Sequence, residues 1–344
     1  MFLSIKSFIR KANTAEDRNK LPSSKSFFNN KQKINEISIN EHVRNDLQLN
    51  VFAAEKVLET ATQYFYTEAK ETLRALIEVK LPLPFPTEID QLQIRKARIT
   101  TTLKIVECIN QQRPVLDLSQ EIYDIQYIPE VVFDMLAPFL TELNLSNNRF
   151  KSIPKGVNKL TKLIKLDLST NLITNLDEEE ISHLINLQSF DISFNQISVV
   201  PASANLTSVN FSHNKINQFD YNLSQNLSLN SLNLSNNLIQ SIPEDLFAKS
   251  NIMELDLSAN FISSLAEISL PANLKVLKLN DNKLTNIPDS ISNNNTLKEL
   301  DLRLNQFSGH RCAELETICS KNRIKIIFSS RKVNTISVPN TIEI

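Results

Sequence analysis

One nine-residue phrase, LxxLxLxxN, recurs eight times between Leu140 and Phe307, about every 23 residues. It reads LTELNLSNN from Leu140, LIKLDLSTN from Leu163, LQSFDISFN from Leu187 and LTSVNFSHN from Leu206. It continues as LNSLNLSNN from Leu229, IMELDLSAN from Ile252, LKVLKLNDN from Leu274 and LKELDLRLN from Leu297. Apolar positions four and six alternate with polar neighbours, the period of a half-buried strand. A strand this short buries little alone, so each copy needs the next one stacked on it. The pattern predicts an α/β solenoid: a parallel sheet with one strand per repeat and a returning segment behind it.

The asparagine at position nine (Asn148, Asn171, Asn195, Asn214, Asn237, Asn260, Asn282, Asn305) stands where the chain turns away from the strand. Its amide both donates and accepts, so it suits backbone groups that have lost their ladder partners; each one left unpaired and buried costs about 1–3 kcal/mol. Ile153-Pro154, Ile242-Pro243 and Ile287-Pro288 follow as stops that direct the chain along the convex side. Val115-Leu116-Asp117-Leu118-Ser119 carries the strand half of the phrase, and IPEVVF from Ile128 matches IPEDLF from Ile242. The array therefore starts at residue 113 with an atypical end repeat and runs to 308, about nine repeats in all.

Flanking segments have another character. Ser38 to Glu41 forms a capping box opening a long helical run, and a second helix restarts at Thr87–Asp90 with Ile89, Leu92, Ile99, Leu103, Val106 and Ile109 on one side. Residues 36–112 are thus expected to form an α-helical cap over the first repeat. After Gly309, His310–Lys321 reads as a helix and Ile324, Ile326 and Phe328 as a closing strand, giving a C-terminal cap over 309–328 and a tail over 329–344. Residues 1–35 hold eight basic residues against Glu16 and Asp17, with Phe2, Leu3, Ile5, Phe8 and Ile9 interleaved. This leader is read as a solvated segment in preference to a membrane-surface anchor or a presequence.

Composition removes several classes of chemistry. Gly156 and Gly309 are the only glycines, so no Gly-rich phosphate cradle can be assembled. A net charge of −1 argues against a nucleic-acid binder. Cys108, Cys312 and Cys319 form no paired framework, which suits a reducing cytosol. His310, Cys312 and Cys319 lack a fourth ligand at zinc spacing, so no metal and no cofactor are expected, and no catalytic residue is assigned.

Function should lie on the outward strand positions three, five and seven, the concave face, where eight acidic residues stand against Lys165, Lys278 and Arg303. The candidate partner-binding residues are Glu142, Asn144, Lys165, Asp167, Asp191, Phe194, His213, Asn233, Glu254, Asp256, Lys278, Asp301 and Arg303. A protein partner with a basic or donor-rich patch is the complement, and charge reversal at Asp191 and Asp256 is expected to weaken it more than tenfold.

The repeats from 113 to about 328 resemble intracellular leucine-rich repeats, and Leu270-Pro271-Ala272-Asn273-Leu274-Lys275-Val276-Leu277 resembles the LPxxLxxL phrase of bacterial effectors. Abundant Asn, Lys and Ile with few glycines suggests an AT-rich genome, as in Legionella and similar intracellular bacteria. The resemblance implies a horseshoe scaffold and a non-enzymatic effector or effector regulator that holds or masks a host protein or another effector, acting in a host cytoplasm if translocated. An alternative is an adaptor that reaches host ubiquitin-ligase or signalling machinery through its N-terminal helices.

Overall fold

The computed structural model describes residues 88–119, 125–200, 206–219, 228–244, 246–247, 250–265, 270–292 and 294–328, with side chains from residue 100 onward. The leader, the helical run expected over 36–81 and the tail lie outside the described residues. Two compact units, residues 1–197 and 198–344, are built on the same coil.

The first unit opens with α1 (Glu88–Gln111), then β1 (Val115–Asp117), α2 (Glu130–Leu136), β2 (Glu142–Asn144), β3 (Lys165–Asp167), α3 (Glu178–Ser182) and β4 (Ser189–Asp191). Each strand occupies positions three to five of the phrase. The strands run parallel in chain order, pairing Leu116 with Leu143, Leu143 with Leu166 and Leu166 with Phe190. Identical positions thus stack into columns, and the apolar columns make the core: Leu143, Leu145, Leu166, Leu168, Phe190 and Ile192 are all buried. Each should contribute roughly 1.5–3 kcal/mol once its neighbour covers it.

Helix α1 packs on β1, and its Thr101, Thr102, Ile105, Val106, Cys108 and Ile109 are all buried. Leu103, expected on the apolar stripe, is only half-buried, and Ile105 takes its place in the core. The helix crosses a repeat end that includes turns as well as a strand, so the covered face is wider than one leucine stripe and admits two threonines.

The second unit contains β5 (Val199–Val200), β6 (Ser208–Asn210), β7 (Gln218–Phe219), β8 (Ser231–Asn233), β9 (Glu254–Asp256), β10 (Val276–Lys278), α4 (Asp289–Ser292), β11 (Glu299–Asp301), α5 (Gly309–Lys321) and β12 (Lys325–Ile327). Within this unit the order β6-β8-β9-β10-β11-β12 is again parallel, while β5 and β7 form a separate short pair. Helix α5 begins one residue earlier than expected. Ser308 caps it, its side chain accepting from the Arg311 N–H at 3.2 Å. Leu315 and Cys319 are buried against the last repeat and β12 pairs with β11, so the expected helix-strand closure is present. Among the described residues no helix is long and apolar enough to cross a membrane.

Candidate protein-binding face

Seven asparagines tie successive coils together within the two units. Asn171 donates from Nδ2 to the carbonyls of Leu168 and Ser169 in its own turn and to Leu145 of the preceding repeat, at 3.0–3.2 Å. Its Oδ1 accepts from the N–H of Phe150, also in the preceding repeat. Asn148, Asn195, Asn237, Asn260, Asn282 and Asn305 repeat the arrangement, each accepting from the residue two places beyond the previous asparagine's position or its equivalent. The amide thus satisfies backbone groups of two coils at once, as its chemistry allows.

Positions five and seven prove to be coupled. Oδ1 of Asp117, Asp167, Asp191 and Asp256 accepts from both the N–H and the hydroxyl of the serine two residues on, at 2.6–3.0 Å. Asn144, Asn210 and Asn233 accept from the serine N–H only. The serine column is consequently not an outward ladder: Ser146, Ser193, Ser212, Ser235 and Ser258 are buried, because the side-chain turn draws them under the chain. Much of the small polar column therefore holds the strand's exit turn.

The remaining candidates divide by unit. Around β9–β12 the charges neutralise one another: Lys278 reaches Asp256 at 3.2 Å, Lys325 reaches Glu299 at 2.9 Å, and Arg303 grips Asp301 through Nη2 at 2.6 Å and Nε at 3.0 Å. Asp301, only 4 % exposed, lies beneath that guanidinium. Glu254 is exposed and has no ion-pair partner among the described residues. On β1–β4, Asp117 and Glu142 are exposed and Asp167 and Asp191 half-exposed, against the single exposed Lys165. No ion pair joins Lys165 to its register neighbour Glu142 among the described residues.

Phe194 and His213 stand at position eight, where the eight copies from Leu140 onward turn through the left-handed region: φ is 51–58° at Asn147, Thr170, Phe194, His213, Asn236, Ala259, Asp281 and Leu304. The turn lets the position-eight N–H reach the next repeat, as Asn147 to Ser169 and Asp281 to Arg303. Asn and Asp tolerate this conformation; for bulky residues it costs on the order of 1 kcal/mol. Yet Phe194 remains 52 % exposed and Leu304 66 % exposed. Leu304, like Phe194 and His213, departs in the sequence from the small polar filler of the face, although nothing in the phrase signals its positive φ. Leu238 and Phe261 add exposed apolar surface just beyond the asparagine column, with Lys283 Nζ 4.8 Å from the Phe261 ring centre.

The thiols have no catalytic setting. Burial pushes the Cys108 thiol up to about 11, against smaller opposing pull from Arg113, and burial raises Cys319 and Cys312 as well. A raised thiol is a poor nucleophile at neutral pH. Among the described residues no group of three His, Cys, Asp or Glu side chains is placed to hold a metal ion.

Leucine-rich-repeat family models match residues 138–197, 228–249, 273–294 and 293–309. Bovine osteomodulin is 35 % identical over 146 residues, which cover 41 % of this chain and 33 % of osteomodulin. The solved structure of a Leptospira interrogans leucine-rich-repeat protein superposes with a TM-score of 0.53 at 26 % identity, covering 60 % of this chain and 52 % of that one. A Shigella effector leucine-rich-repeat domain shares the fold, with a TM-score of 0.52 at 18 % identity, over 77 % of this chain and 98 % of that domain. The chain spans only about a third of osteomodulin, so the resemblance is to the repeats and not to a whole protein. The phrase, the asparagine column, the parallel one-strand-per-coil stacking and these matches agree on the fold: the coils are similar to leucine-rich repeats, matched by the family models over residues 138–197, 228–249 and 273–309.

Proposed function

We propose that the chain is a non-enzymatic protein-binding module whose partner docks on the exposed sheet face and on the position-eight residues beside it. The observation that carries this reading recurs in each unit by itself: Phe194 in the first and Leu304 in the second are large apolar side chains held out to solvent at backbone positions where bulk is disfavoured. Folding alone favours Asn or Gly there, and buried aromatic anchors are what interfaces use. The acidic side chains of β1–β4 favour a partner with a basic or donor-rich patch. Three unpaired thiols, two of them buried, fit a reducing cytosol. Within that reading, the Asn-, Lys- and Ile-rich composition and the LPxxLxxL phrase support a translocated bacterial effector, or a regulator of one.

The test is affinity capture from host and bacterial lysates with the full chain, read by mass spectrometry. The partner so found is titrated against Phe194→Ala and Leu304→Ala. Each substitution is expected to weaken binding about tenfold, roughly 1.4 kcal/mol, with melting unchanged or raised. Equal affinity of both folded variants and the parent chain overturns the proposal.

A further inference from the structure

The binding face has a candidate occupant within the chain itself. We propose that the basic leader, residues 1–35, docks on the exposed face of β1–β4 and competes there with the external partner; this rests on the reading of that face as a binding surface.

Charge points to this half. Asp117, Glu142 and Asp167 form no ion pair among the described residues, with Lys165 the exposed cation among them, whereas Asp256, Glu299 and Asp301 are already taken by Lys278, Lys325 and Arg303. An incoming cation gains less where a carboxylate already has a counter-charge. The Asp117, Asp167 and Asp191 carboxylates are also pre-oriented, each with Oδ1 fixed by a serine N–H and hydroxyl, so little rotamer freedom is lost on docking. Exposed apolar groups flank the acidic patch, Val115 on β1 and Phe194 after β4. The leader has the matching composition: eight basic residues against two acidic, with Phe2, Leu3, Ile5, Phe8 and Ile9 among them. From β1 to β4 is about 14 Å, a distance that about five extended residues cross. Residues 36–87 tether the leader to the unit that carries the face. A tether long enough to reach gives an effective concentration on the order of millimolar, so a weak intrinsic affinity suffices for substantial occupancy.

Zero-length carbodiimide cross-linking of the full chain, in an equal mixture of 15N-labelled and unlabelled protein, tests this by mass spectrometry. Links from Lys6, Lys11, Lys20 or Lys25 to Asp117, Glu142, Asp167 or Asp191 are expected within one isotopic chain. They should fall at least fivefold in Glu142→Lys and in about 0.5 M NaCl, and persist in Glu254→Lys. Absence of these links, links chiefly to Glu254 or Glu299, or links between heavy and light chains overturns the proposal; the last would make a second copy the occupant. Titration of the captured partner on the same variants separates the two readings. If Glu142→Lys loses the partner but the parent chain shows no leader links, the face binds and the leader idea fails. If leader links form while Phe194→Ala, Leu304→Ala and Glu142→Lys all keep the partner, the leader docks and the partner binds elsewhere.

Discussion

Position eight separates what a residue does for folding from what it does elsewhere. The left-handed φ recurs there whether the residue is Asn147, Thr170, Phe194 or Leu304, so the turn is imposed by the coil and not chosen by the side chain. Phe194→Asn and Leu304→Asn should therefore keep or raise stability, by up to about 1 kcal/mol in urea denaturation. Position nine behaves oppositely. Asn237→Ala orphans the N–H of Ile216 in a buried turn, while the carbonyls of Phe211, Leu234 and Ser235 lose one donor and keep Asn214, Asn260 and the His213 N–H, an expected loss of about 2 kcal/mol. Asn305→Ala, at a half-exposed position where water can replace the amide, should cost about 1 kcal/mol by the same measurement. The asparagine role was legible in the sequence because it follows from one side chain's donors and acceptors. The Asp–Ser coupling was not, because the alternation rule places position seven outward. Asp191 and Asp256 hold their turns through Oδ1, so reversing their charge disturbs the strand exit together with any partner contact. Glu142 and Glu254, outside such turns, are the cleaner probes.

Elements show how local signals succeed and fail. The strands lie on the phrase and α5 within one residue of its expected start, since apolar period and capping are local properties. Gly309 was read as the break, but it is the first residue of α5, and a Cβ there would meet nothing within 4 Å. Gly156 is the glycine that the fold requires: its φ is +91°, and a Cβ would come within 2.7 Å of Glu130 Cγ. Gly156→Ala should lose about 1–2 kcal/mol in thermal or urea unfolding, while Gly309→Ala should be neutral or slightly stabilising. The Cys108 thiol contributes a pH dependence. Its folded-state value is raised, to about 11, so the folded chain keeps a proton that the unfolded chain releases, and stability falls between about pH 9 and 11. Cys108→Ala should flatten that part of the urea midpoint-against-pH curve.

At the scale of the molecule, the repeat number and the parallel order follow directly from the phrase, while the distribution of charge does not. Lys278 and Asp256 lie 22 residues apart in sequence, and so does Lys165 from its register neighbour Glu142 by almost the same interval, yet only the first pair closes. Counting acids against bases along the whole sheet therefore overstates the acidity available around β9–β12. Partner affinity should accordingly fall with added salt, and Glu142→Lys should remove more of that salt dependence than Glu254→Lys, as read from titrations at about 0.05 and 0.5 M NaCl.

Because each asparagine amide bonds to its own coil and to the one before it through the same atoms, any coil is an acceptable neighbour for any other. Loss or duplication of one entire coil, for instance the stretch from Ile252 to Asn273, would leave such links with a chemically equivalent partner, whereas loss of half a coil would strand both sides. The array can thus grow or shrink only in single-coil steps, with no intermediate sizes open to it.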